Sequence, residues 1–164
     1  MSRSGYSDDI DDQWQFIRWR GAVTSAMRGK RGYAFLSEML AAMDALPDKK
    51  LIRNDLEKEG AVCAIGAVGK ARGVDMTELD PEDPERVAAA FGIPHALASE
   101  IVYTNDEHFW KETPEERFAA MRRWIKCEIW NVRGCVENPE GKLLNSPWHG
   151  ARLHYKAVIE WNLV

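Results

Sequence analysis

The sequence lacks the long apolar runs of a membrane protein. No stretch approaches the roughly 18 consecutive apolar residues that a membrane-spanning helix requires. Residues 1–13, MSRSGYSDDIDDQ, also lack the apolar centre of a secretory signal peptide, and residues 1–6 are expected to be a flexible N-terminus. We therefore expect a cytoplasmic protein without membrane contact.

Cysteine is scarce, and no spacing typical of a zinc site occurs. The chain has three cysteines, Cys63, Cys127 and Cys135, but neither a Cys-x-x-Cys pair nor a Cys/His cluster. We expect reduced thiols, no metal site and no cofactor.

An excess of positive charge is also absent. The 164 residues contain 22 Lys and Arg against 26 Asp and Glu, which gives a net charge of −4. This balance argues against general affinity for nucleic acid or acidic membranes, so a protein partner or a small anionic ligand fits better. With 45% hydrophobic residues, the chain is expected to form one domain, residues 1–164, around one core.

The chain does contain apolar residues at helical spacing, which predict a mainly α fold: a compact bundle of five or six helices. A first helix is expected to end about Arg28, with Trp14 and Ile17 facing the core. A second helix is expected to end near Pro47 and to form an antiparallel hairpin with the first. Its apolar stripe comprises Phe35, Leu36, Met39, Leu40, Met43 and Leu46.

Start signals mark two later helices. An acidic surface loop from Asp75 is expected to end at Asp83, which would cap a helix with Pro84 at its first position. Residues 113–116, TPEE, form a capping box with proline in the first turn, and predict the start of the last long helix. Between them, the pair at 105–106, Asn-Asp, is suited to ending a helix and turning the chain.

A small β element is predicted at two places. Residues 50–58 are ambiguous between a strand and an extended connection. Residues 131–164 form a C-terminal extension in which residues 152–164 alternate between apolar and polar side chains, so one strand with a buried Trp161 is expected there. This strand would pair with residues 50–58, or with a second copy to give a homodimer.

Cys63 lies in the glycine-rich stretch EGAVCAIGAVGKARGVD, residues 59–75. A helix from near Ala61 would place Gly66, Gly69 and Gly73 on one side, where another helix could approach closely. Two interpretations of Cys63 are open. It is a catalytic nucleophile, because a helix N-terminus lowers the pKa of a thiol, or it is a buried inert thiol. A nucleophile requires a histidine partner, for which the candidates are His95, His108, His149 and His154.

Residues 87–101, VAAAFGIPHALASEI, match the spacing of a helix-turn-helix motif. The recognition helix would be PHALASEIVYTNDE, residues 94–107, which has no Arg or Lys. Its acids Glu100, Asp106 and Glu107 would repel phosphate. Nucleic-acid binding is therefore the less favoured interpretation of this corner.

Basic residues are concentrated around the first two helices. Six of them are candidate binding residues: Arg18, Arg20, Arg28, Lys30, Arg31 and Arg53. They would form either a solvated face or a site for a phosphate-bearing or other anionic ligand.

Four short segments together resemble a family of small uncharacterised proteins from bacteria and their phages. They are CAIGA at residues 63–67, the Asn-Asp pair at 105–106, TPEE at 113–116 and RGKRGYAFLSEMLAAMDALP at 28–47. The resemblance covers residues 14–130 and implies a phage or bacterial setting, with no assigned activity and no catalytic residues.

The favoured hypothesis is a non-enzymatic binding protein, a phage accessory factor that engages a host protein such as a component of host defence. The acidic charge, the phage-like segment and the lack of a complete catalytic constellation support it. Seven tryptophans also offer candidate interface anchors. The alternatives are a Cys63-dependent hydrolase or transferase, and a helix-turn-helix regulator that binds nucleic acid.

Overall fold

The computed structural model describes residues 13–109 and 111–133, with side chains as far as residue 130. This part of the chain is mainly helical with a small two-stranded antiparallel sheet, which confirms the predicted fold class. Its elements are α1 (Gln13–Arg28), α2 (Lys30–Ala45), β1 (Glu57–Lys58), β2 (Ala61–Val62), α3 (Ala64–Arg72), α4 (Pro84–Phe91), α5 (His95–Tyr103), a π-helical turn (Thr104–His108) and α6 (Pro114–Arg133). None of the helices described is long and apolar enough to cross a membrane.

Helices α1 and α2 meet at a corner formed by a single residue, Gly29. The corner is tight because Gly32, in the first turn of α2, lies directly against the backbone of Ala26 in α1. A Cβ atom at Gly32 would overlap the Ala26 carbonyl. Glycine at this position therefore sets how closely the two helices pack.

The core lies between α2, α3, α5 and the middle of α6. The predicted stripe on α2 is buried at Phe35, Leu36, Met39 and Met43, and half-buried at its other two positions. Helix α5 is buried at every position from Leu97 to Val102, so it forms the centre of the domain.

The prediction that Trp14 faces the core is wrong. Its side chain is 72% exposed, and Ile17 is only half-buried. The buried residues of α1 begin at Val23, although Trp19 and Arg20 before it already contact α5. The first turns of α1 therefore extend beyond the core.

Both predicted helix starts are confirmed. The Asp83 carboxylate accepts a hydrogen bond from the Arg86 N–H (3.0 Å), and Pro84 is the first residue of α4. At α6, Thr113 Oγ1 accepts from the Glu116 N–H (3.3 Å), while the Glu116 carboxylate accepts from the Thr113 N–H (2.9 Å). This reciprocal pair is the capping box that the sequence predicts.

The strand predicted within residues 50–58 is confirmed at Glu57–Lys58, and it pairs with Ala61–Val62. The connecting residues Glu59 and Gly60 both have positive φ, as a two-residue hairpin requires. Helix α3 therefore begins at Ala64 rather than near Ala61. The predictions for residues 1–12, the strand at 152–164 and Trp161 lie outside the described residues.

Candidate functional site

The outward side of α1 carries a row of exposed residues that begins with Trp14, whose side chain is 72% exposed. Trp14, Arg18, Gly21, Ser25 and Arg28 follow one another at intervals of four and three residues, which places them along one side of the helix. All five are exposed. We call these five residues the α1 face.

An open depression lies along the C-terminal half of this face. It is lined by Arg20, Gly21, Thr24, Ser25, Arg28 and Gly29. Its floor is low because the lining residues between the two arginines are small. A Cβ atom at Gly21 would meet nothing within 4 Å, so no contact inside the protein requires glycine there.

Next to the depression, α1 is tied to α5 by an ion pair between the partly exposed Arg20 and the buried Glu100. Arg20 Nη1 lies 2.8 Å from Oε2 of Glu100, whose side chain is fully buried. The Trp19 ring also packs edge-on against His95, at a centroid distance of 5.8 Å. A buried carboxylate requires such pairing, so Glu100 holds α1 in place. The sequence prediction assumed that Glu100 faces solvent, and the structure corrects it.

Positive charge is concentrated around the corner between α1 and α2. Residues 13–37 contain five basic residues and no acid. Arg20 pairs with Glu100, whereas Arg18, Arg28, Lys30 and Arg31 form no ion pair within the described chain. Elsewhere in the described chain, five basic side chains have acidic partners, in the pairs Lys50–Glu115, Lys58–Asp55, Lys70–Glu57, Arg72–Glu38 and Arg122–Asp44.

Arg53, the sixth predicted binding residue, lies in a different environment. It is half-buried in the loop before β1 and close enough to Arg117 to affect that residue electrostatically. The burial of Arg117 and the positive charge of Arg53 both lower the pKa of Arg117, while the negative charges of Asp106 and Glu112 oppose this shift. Arg53 therefore belongs with a second group of residues, which we call the buried polar centre: Asn105, Asp106 and Arg117, with the backbone of residues 51–54.

The buried polar centre is built on the π-helical turn that follows α5. The Asn105 amide donates to the Ile52 carbonyl (2.9 Å) and accepts from the Ala64 N–H (3.4 Å), while Asp106 accepts from the Asn54 N–H (3.3 Å). Asn105 and Asp106 thus continue the helix and anchor a loop. They do not end the helix as the sequence predicted.

Arg117, from the first turns of α6, supports the same loop. Its guanidinium donates to the carbonyls of Leu51 (3.0 Å), Glu112 (2.7 Å) and Phe109 (3.4 Å), and only 4% of the residue is exposed. Because these bonds go to the backbone, the arrangement joins α3, α6 and the π-helical turn through the loop between α2 and β1. We interpret the buried polar centre as a structural clamp.

Cys63 is the N-cap of α3 and is 2% exposed. Its Sγ accepts a hydrogen bond from the Gly66 N–H (3.4 Å), and the neighbouring Ala64 N–H is bonded to Asn105. These are amides that would stabilise an anionic intermediate beside a catalytic thiol. Both already have acceptors within the protein, which favours a structural cysteine.

The two described histidines have partners of their own. His95 Nε2 lies 3.3 Å from Ser99 Oγ and its ring contacts Trp19, while His108 packs against Phe109 at 4.7 Å. Burial lowers the pKa of His108. His149 and His154 lie outside the described residues.

The glycines of α3 are explained by packing against loops, not against another helix as predicted. A Cβ atom at Gly66 would overlap the carbonyl of Leu56, and one at Gly69 would overlap the sulfur of Met76. Gly73 ends the helix with a left-handed backbone, φ 67°. Gly66 and Gly69 are therefore explained by close packing, and Gly73 by its backbone conformation.

Helices α4 and α5 form a corner at Gly92, as the helix-turn-helix spacing predicted. The assignment of α5 as a recognition helix is wrong, because Leu97 to Val102 are all buried. A recognition helix must expose one side to the major groove. Helix α5 has no such side between these residues.

The acidic loop from Asp75 to Asp83 uses its carboxylates to form turns. Asp75 accepts from the Thr77 N–H and hydroxyl, and Asp80 accepts from the Glu82 N–H. Residues 13–109 and 111–133 contain no group of three His, Cys, Asp or Glu side chains that could hold a metal ion.

Comparisons with protein-family models, with curated proteins and with solved structures found no match for this chain. The resemblance to small phage and bacterial proteins therefore stays a prediction.

Sequence reasoning missed the α1 face because it assigned Trp14, together with Ile17, to the buried side of the helix. The signal was present in the four-and-three spacing that puts Trp14 in line with Arg18 and Arg28. A stripe with two arginines is a solvent-facing stripe unless acids are available to pair with them.

Proposed function

We propose that this chain is a non-enzymatic binding protein and that the α1 face is its binding surface. One observation carries the proposal: the face combines an exposed tryptophan, Trp14, with two arginines, Arg18 and Arg28, that form no ion pair in the described chain. Tryptophan and arginine are the residues most enriched among interface anchors.

The biological setting is proposed on the resemblance alone. The segment at residues 28–47 is similar to phage proteins, and we propose an accessory factor that acts in the cytoplasm of a bacterial host. Its partner would be a host protein, such as a component of host defence.

A photo-crosslinking experiment tests the binding function. A benzophenone amino acid replaces Trp14 in the full chain, expressed in the bacterial host, and a matched chain carries the probe at the exposed Glu82 in the acidic loop. We expect a discrete adduct from position 14 that position 82 does not give. Equal adduct patterns from both positions would contradict the proposal.

The rival function is catalysis through Cys63. The observation in its favour is the position of the thiol at a helix N-terminus. Its burial and the occupied amides around it count against it.

A further inference from the structure

We infer that the α1 face docks an acidic helical segment of a protein partner, an inference that rests on the proposed binding function. The charge of the region around the α1 face supports this occupant. Of the five basic residues in 13–37, Arg20 is neutralised by Glu100, and the other four, Arg18, Arg28, Lys30 and Arg31, form no ion pair in the described chain. A partner that complements this region supplies carboxylates.

The shape of the α1 face also fits a helical segment. From Trp14 to Arg28 it runs about 21 Å along one helix at 1.5 Å per residue. Gly21 and Ser25 line the depression and lie between Arg18 and Arg28 in the sequence of the face, so the middle of the face is low. A partner helix can approach the small residues closely while its acids reach the two arginines.

This geometry defines the spacing of the partner's acids. Arg18 and Arg28 are ten residues apart, which is about 15 Å along α1. A helix of about four turns that lies along the face would present acids about ten residues, or three turns, apart. Arginine binds such carboxylates through two parallel N–H bonds.

Other anionic partners fit the observations less well. An amphipathic helix binds a lipid surface through its apolar side, but Val23 and Met27 of α1 are buried in the core. The net negative charge of the chain opposes the dense charge of a nucleic-acid backbone more strongly than the few acids of a peptide segment. Lipid and nucleic acid are therefore outcomes that the test must separate from protein.

The test identifies the segment that contacts position 14 and then reverses the charges. The peptide crosslinked to the benzophenone at position 14 of the full chain is sequenced by mass spectrometry. We expect a segment with acids at helical spacing. Arg18→Glu with Arg28→Glu should lower the adduct yield at least tenfold, and changing two acids of the partner to lysine should restore it.

Two further variants separate charge from shape. Arg86→Glu alters an exposed arginine of α4 that forms no ion pair in the described chain, and it should leave the yield unchanged. Gly21→Leu has space for its Cβ atom in the free protein, so it should fold normally but fill the depression. It should also lower the yield at least tenfold.

The outcomes distinguish this inference from the binding function itself. An adduct with a peptide that lacks acids, with nucleic acid or with lipid would overturn the acidic segment. A yield unaffected by the double charge reversal, or by Gly21→Leu, would also overturn it, although binding would stand. If position 14 gives no adduct that position 82 does not also give, both the binding function and the acidic-segment inference are overturned.

Discussion

The α1 face and the buried polar centre use arginine in opposite ways. Arg117 is buried and its guanidinium donates to three backbone carbonyls, whereas Arg18 and Arg28 are exposed and form no ion pair in the described chain. Arg20 lies between these cases, because it holds α1 onto the buried Glu100. The comparison indicates that stability is concentrated at the centre, while the surface of α1 is left available.

The glycines show the same contrast between buried and exposed positions. Substitution of the buried Gly66 is predicted to have the largest effect. Gly66→Ala would force a Cβ atom into the Leu56 carbonyl, so the free energy of unfolding should fall by about 3 kcal/mol or more. Gly21→Ala meets no neighbour and improves helix propensity, so it should raise that free energy by about 0.5–1 kcal/mol. Urea denaturation measures both, and equal effects would contradict the contrast.

The buried arginine supplies the next prediction. Arg117→Met removes the donors to the carbonyls of Leu51, Phe109 and Glu112, and should cost about 2–3 kcal/mol. Arg86→Met, on the exposed side of α4, is the matched control and should change stability by less than about 0.5 kcal/mol. A small loss for Arg117→Met would mean that the clamp does not stabilise the fold.

Cys63 tests whether the region beside the clamp is chemically inert. In a background with Cys127→Ser and Cys135→Ser, iodoacetamide should label native Cys63 at least about 100-fold more slowly than the urea-unfolded chain at neutral pH. The physical reason is burial of the thiol. Rapid labelling of the native protein would instead support the rival catalytic function.

A surface ion pair on α2 predicts a smaller, pH-dependent effect. Two hydrogen bonds from Arg72 to the Glu38 carboxylate (2.7 and 2.6 Å) hold the pKa of Glu38 below its ordinary value. The pair therefore stabilises the fold above the unfolded pKa of Glu38, and this contribution is lost as the pH falls through the lower folded pKa.

The substitution Glu38→Gln isolates that contribution. It should cost less than about 1 kcal/mol at pH 7, because both side chains are partly exposed and solvent screens them. The difference from the native chain should shrink between about pH 5 and pH 3. Denaturation across this pH range at low and high salt measures it, and a difference that grows on acidification would refute the assigned sign.

Local signals in the sequence predicted the fold well where one short segment determines the structure. The capping box at Thr113, the cap at Asp83 and the apolar stripe of α2 all depend on residues within a few positions of one another. The pairing of residues 57–58 with 61–62 is equally local, but its hairpin was not recognised and α3 was started too early.

The buried polar centre and the anchoring of α1 were harder to predict because they depend on contacts between distant segments. Arg20 and Glu100 are 80 residues apart, and Asn105 bonds to Ile52 across 53 residues. No periodicity encodes such pairs. The sequence indicated that basic residues gather near α1, but only the fold separates Arg53 from Arg18 and Arg28.

The most direct test of this account measures binding and stability on the same two variants. Arg18→Ala with Arg28→Ala should lower the crosslinking yield from position 14 at least tenfold and change the free energy of unfolding by less than about 0.5 kcal/mol. Asn105→Ala, in the buried polar centre, should cost about 2–3 kcal/mol. At equal concentrations of folded protein, Asn105→Ala should leave the crosslinking yield from position 14 unchanged. A yield that survives loss of both arginines but disappears with Asn105→Ala would contradict the account.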